Sequence, residues 1–179
     1  MAYFAPAKVI NLADGSEAFE YFCKEFNYEV PKLTQICNFN EVLKNFSKND
    51  FKHKFDEFSV AVYGDKNLEK IAQNLGAKVV NFGSKNFEFN PVIYEFDKDY
   101  ALKMASLILF DAYDGGADFL LINDKEIFEF FDDNCIEICE FFGRDLHDFY
   151  ILRSDEFLAL AKGEKPVSLK SHKLKVTLV

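Results

Sequence analysis

Gly116-Ala117-Asp118-Phe119-Leu120-Leu121-Ile122-Asn123-Asp124 is the stretch whose reading decides the fold. Its centre is an unbroken apolar run, short enough for a strand and too apolar to leave either face in water. Such a run belongs in a parallel sheet covered on both sides. Gly115-Gly116 ends whatever precedes it, and Asn123-Asp124 caps whatever follows.

The same logic extends outward. Asp97 to Asp114 predicts a strongly apolar helix, with Tyr100, Ala101, Met104, Ala105, Leu107, Ile108, Phe110 and Ala112. Before it, Phe58 to Tyr63 and Ala77 to Phe82 read as strands, joined by a helix from Gly64-Asp65 through Leu68, Ile71, Ala72 and Leu75 to Gly76. After Asn123-Asp124 a helix carries Ile127, Phe128, Phe131, Cys135, Ile138 and Phe142 to Gly143. Phe149 to Leu152 is a fourth strand. Ser154, followed by Asp155 and Glu156, reads as the cap of a last helix that ends at Gly163. Strand and helix alternating in this way predict an α/β fold, a mostly parallel sheet of about four strands with helices on both faces.

Residues 1–55 are of another style and predict an N-terminal helical arm, leaving 56–179 as the α/β domain. One amphipathic stretch follows Asp14-Gly15-Ser16-Glu17 and sets Phe19, Phe22 and Phe26 on one face. A second begins near Asn38 with Glu41, Val42, Leu43 and Phe46, beyond Pro31. Ser47 to Lys54 is polar and reads as a linker. An exposed Phe19/Phe22/Phe26 face would suit a docking partner.

Composition narrows the function classes. The 179 residues are 49% apolar, with 22 Phe and no Trp, so a sizeable core is available. A formal charge of -9 sets the chain against phosphate backbones, so no nucleic-acid partner is expected. No apolar run is long enough to span a bilayer, and the start, Met1 to Pro6, has neither a basic nor a long apolar signal region. The expected compartment is the cytoplasm, where Cys23, Cys37, Cys135 and Cys139 are free thiols.

No catalytic or metal constellation emerges, and no cofactor is implied. Cys135 and Cys139, at i and i+4, share a helix face, but two thiols make no zinc site. Their neighbours are core-like, so they read as small buried hydrophobes. A thiol site assembled with Cys23 or Cys37 is an alternative. His53, His147 and His172 lie in polar or loop-like settings. Asp111 with Asp114, and Asp132-Asp133, read as solvated surface. Gly115-Gly116 precedes a strand, whereas phosphate-cradling loops follow one. Loops after parallel strands are where such folds place sites. There, Asn123, Asp124 and Arg153 are the candidate ligand-binding residues. Helix capping is the plainer reading of all three.

Two segments carry a family resemblance. Asp97-Lys98-Asp99-Tyr100-Ala101-Leu102 leads through a helix into Gly116-Ala117-Asp118-Phe119-Leu120-Leu121-Ile122. Leu152-Arg153-Ser154-Asp155-Glu156-Phe157-Leu158-Ala159-Leu160-Ala161-Lys162-Gly163-Glu164 is followed by Pro166, Leu169 and His172. Together, across 57–172, these resemble the C-terminal part of HdrB, a component of heterodisulfide reductase, and its CCG-domain relatives. The resemblance implies iron–sulfur ligation by a CCG triplet after one strand and a cysteine pair after the "GAD" strand. Here those loops read Gly83-Ser84-Lys85 and Asn123-Asp124-Lys125-Glu126, without cysteine. The resemblance therefore implies a redox-silent domain that serves as an interaction or subunit module. A protein partner is expected, such as an iron–sulfur or quinone-linked oxidoreductase subunit. The alternative is a small-molecule-binding protein or enzyme that uses the strand-end loops. His172 matches a tail position with a structural role.

Overall fold

The computed structural model describes residues 9–12, 24–25, 35–38 and 51–176. The chain divides into two units, 1–47 and 48–179. In the first, β1 (Val9–Leu12) pairs in parallel with β2 (Gln35–Asn38). No strand is expected there from the sequence. Each strand has four residues, too few for a two-residue periodicity to stand out. The Phe19/Phe22/Phe26 face and the stretch from Glu41 to Phe46 lie outside the described residues.

The second unit runs β3 (Ser59–Tyr63), α1 (Lys66–Asn74), β4 (Lys78–Val80), α2 (Ile93–Phe96), α3 (Lys98–Asp114), β5 (Phe119–Ile122), α4 (Lys125–Phe142), β6 (Tyr150–Arg153), α5 (Ser154–Ala161) and a 3-10 turn, Val167–Lys170. Its four-stranded sheet has the order β4-β3-β5-β6, and every neighbouring pair is parallel. This is the α/β architecture expected from the alternating sequence.

Side chains alternate across the strands and build two cores. Ala61, Tyr63, Leu120, Ile122 and Ile151 share one buried cluster with Leu102, Leu109, Phe131 and Ile138 of α3 and α4. Val60, Val62, Phe119, Leu121 and Leu152 are buried on the other face. There Phe55 meets Phe119 and, from α5, Phe157. The connections from β4 to β5 and from β5 to β6 run the same way along the sheet, and their helices α3 and α4 pack on the same face, as right-handed crossovers require.

Two local readings change. Residues 51–54, the described part of the Ser47 to Lys54 stretch, are not a free linker, and Phe55 beside them is core. The Lys52 and His53 N–H groups both donate to the Ala161 carbonyl at 3.0 Å. Phe55 is 6% exposed, with its ring centroid 4.4 Å from that of Phe157. An apolar ring among polar neighbours was the available signal, and burial beneath α5 is its cause. The cap of α5 is Arg153, not Ser154. The Arg153 N–H donates to Glu156 Oε2 at 3.0 Å, which leaves the Ser154 hydroxyl free for another partner.

Candidate functional site

β3, β5 and β6 end level with one another, because Tyr63 pairs with Ile122 and Ile122 with Arg153. The residues that follow them form a row at the carboxyl edge of the sheet. Strand order reverses between β3 and β5, the position where open α/β sheets bind ligands. Three helices also start at this edge, and their N–H groups favour anions.

The row is internally bonded. Asp65 Oδ1 accepts from the Asn67 and Leu68 N–H groups at 2.8 and 3.0 Å, capping α1. Its Oδ2 accepts from Asn123 Nδ2 at 3.0 Å, and Asn123 Oδ1 accepts from Ser154 Oγ at 2.6 Å. Asn123 therefore bridges the ends of three strands. Asp124 Oδ1 accepts from the Ile127 N–H at 3.0 Å and caps α4. The Arg153 guanidinium turns to Asp155, donating from Nε at 2.8 Å.

The structure thus brings Asn123 into a shared network and sets Asp124 and Arg153 to local work. Asp65 and Ser154, read from the sequence as caps, are the partners that the reading of Asn123 lacked. Carboxylates already hold the three helix starts: Asp65 on α1, Asp124 on α4 and Glu156 on α5. A phosphate brought to this edge would meet negative charge where a phosphate site offers bare N–H groups.

A second cluster is buried between α4, α5 and the segment after the 3-10 turn. His172, Glu156 and Asp132 are 5%, 3% and 9% exposed. His172 Nε2 lies 3.0 Å from Glu156 Oε1, and Nδ1 lies 3.7 Å from Asp132 Oδ1. Glu156 also accepts from Ser168 Oγ at 2.5 Å, and Asp132 accepts from the Lys173 N–H at 3.3 Å. The Phe128 ring flanks the imidazole, with centroids 5.4 Å apart.

Burial opposes charge on every member of this cluster. At Glu156 the hydrogen bonds from His172, Ser168 and the Arg153 N–H overcome it and hold the carboxyl below its usual range. At His172 burial is likewise outweighed, by Glu156 and then Asp132, and the imidazole keeps its proton above its usual range. At Asp132 burial prevails over the attraction of His172 and raises the carboxyl. Asp132 is therefore not the solvated surface residue expected from its sequence setting, whereas Asp133 is exposed.

The remaining candidates have ordinary roles. Cys135 and Cys139 are buried free thiols, and burial pushes Cys135 up to about 12, far from a thiolate at neutral pH. Cys23 lies outside the described residues, and Cys37 is described only as part of β2. Asp111 Oδ2 accepts from the Ser84 N–H and Oγ at 2.7 and 2.8 Å. Asp114 takes both terminal nitrogens of Arg144. His53 and His147 are exposed. A groove of about 520 Å³ runs along the end of α4, lined by Ile136, Cys139, Arg144, Leu146, His147 and Leu174 among others. No His/Cys/Asp/Glu group suited to a metal occurs among the described residues. No helix among them is long and apolar enough to cross a membrane.

The fold defines the class: a parallel α/β unit with its strand-end polar groups bonded to one another. No protein-family model matches the chain, and no curated protein matches it. Among solved structures it is similar to a hypothetical protein from Helicobacter pylori, with a TM-score of 0.71 and 21% identity over 91% of this chain. The chain spans 33% of that protein's length. At this identity the likeness is one of fold.

Proposed function

We propose that the α/β unit is a redox-silent counterpart of the C-terminal domain of HdrB. In this reading it serves as an interaction or subunit module of a cytosolic oxidoreductase system and carries out no catalysis itself. One observation carries the reading: the loops where the resemblance implies cluster cysteines hold groups committed to the fold. After β4, Ser84 is buried and bonded to Asp111 and to the Leu107 carbonyl. After β5, Asn123 and Asp124 bridge strand ends and cap α4. Iron–sulfur clusters are held by thiolates, and neither loop supplies one.

Exposed apolar side chains suit a module that a partner covers. Phe96 is 82% exposed, and Val92 and Tyr100, four residues to either side of it, are 52% and 50% exposed. Affinity isolation from the native host at low salt, with mass spectrometry of what co-purifies, tests the reading. The expected result is recovery of an iron–sulfur or quinone-linked oxidoreductase subunit in fixed ratio. A clean monomer contradicts it.

A further inference from the structure

Residues 166–174 are joined to the rest of the unit in an unusual way. Three hydrogen bonds tie them to α4 and α5, from Ser168 Oγ, His172 Nε2 and the Lys173 N–H, and all end on Glu156 or Asp132. The 3-10 turn bonds within itself, through Leu169 N–H to the Pro166 carbonyl and Ser171 N–H to that of Ser168. Leu169 is the apolar anchor, 9% exposed, while Val167 stands in solvent. Two residues past His172, Leu174 forms one wall of the groove along α4.

We propose that this segment is a proton-dependent latch: charged His172 clamps it between Glu156 and Asp132, and loss of that proton frees the segment and opens the groove that Leu174 walls. The groups facing His172 are Asp132 of α4, with Asp133 beside it, and Glu156 of α5. Lys173 lies on the segment itself and Arg153 at the end of β6, the latter engaged by Asp155. One cation thus faces two carboxylates in a dry setting. Without its charge the buried carboxylates lose the group that compensates them. The latch strengthens as the pH falls toward the ordinary imidazole range and weakens as it rises through the raised value of His172.

Amide hydrogen exchange on the full chain between about pH 6 and 9, corrected for intrinsic rates, tests the latch beside the His172 imidazole shift read by NMR. Protection of 167–174 is expected to fall by at least about tenfold as the imidazole titrates, with residues 120–122 unchanged. Three results would each overturn the proposal: protection that stays constant through the titration, loss in step with 120–122, or an imidazole still protonated at the upper limit. His172→Gln is expected to leave the segment weakly protected at every pH, and wild-type pH dependence in that variant also overturns it. Leu169→Ala lowers protection by the same factor at all pH values. Should His172→Gln fail to fold, the wild-type titration decides alone.

Discussion

Replacing His172 with Gln is expected to lower stability by about 3–5 kcal/mol near neutral pH, the usual result of removing one partner from a buried charge pair. The substitution strands Glu156, 3% exposed, against an uncharged amide. The sign of the pH dependence follows from the two shifts. The contribution of Glu156, whose carboxyl is lowered, is present above the ordinary carboxylate range and fades as pH falls through its folded value. That of His172, whose imidazole is raised, is complete below the ordinary imidazole range and fades as pH rises through its folded value. Wild type and variant should therefore differ most between those limits and converge at alkaline pH. A double variant, Glu156→Gln with His172→Gln, should recover much of the loss, because no unpaired charge remains. Urea unfolding across this pH range measures both effects. A constant difference, or none, contradicts the assignment of a charged pair.

The second large effect concerns Phe55, the residue next to the Ser47 to Lys54 linker and the last of the stretch that sequence reading assigned to the N-terminal arm. Phe55→Ala should cost about 3–5 kcal/mol, the range for a large aromatic removed from a packed core. The ring is 6% exposed and sits between Phe157 and Phe119, with Phe58 alongside. Thermal or chemical unfolding of the variant measures the loss. A change below about 0.5 kcal/mol, typical of a surface position, would contradict the packing of Phe55 into this core.

These two cases mark what local sequence reading reaches. The strand of Phe119–Ile122, the helix from Asp97 to Gly115 and the left-handed Gly143 that closes α4 were legible because each signal is local: a run, a cap, a turn glycine. Burial of Asp132 was not, since nothing within its helix announces that a histidine 40 residues on will face it. Ser154 shows the same limit at close range. Its hydroxyl could cap its own helix or reach Asn123, and only the level ends of β5 and β6 decide for Asn123.

The strand-end row was half legible. Asp65 and Asp124 sit where helix starts are expected, and capping is what they do, whereas at α5 the expected cap is Ser154 and the Glu156 carboxylate takes the Arg153 N–H instead. The bridge through Asn123 depends on strand register, which a single strand's sequence does not contain. Asn123 is thereby engaged in joining the strand ends, through Asp65 on one side and Ser154 on the other.

Iron and acid-labile sulfide content after anaerobic purification, read with the visible absorbance spectrum, tests the redox-silent account most directly. We expect negligible iron and sulfide and no charge-transfer bands, unchanged in a Cys135→Ser variant. A stoichiometric iron–sulfur absorbance in the wild-type protein would contradict the account.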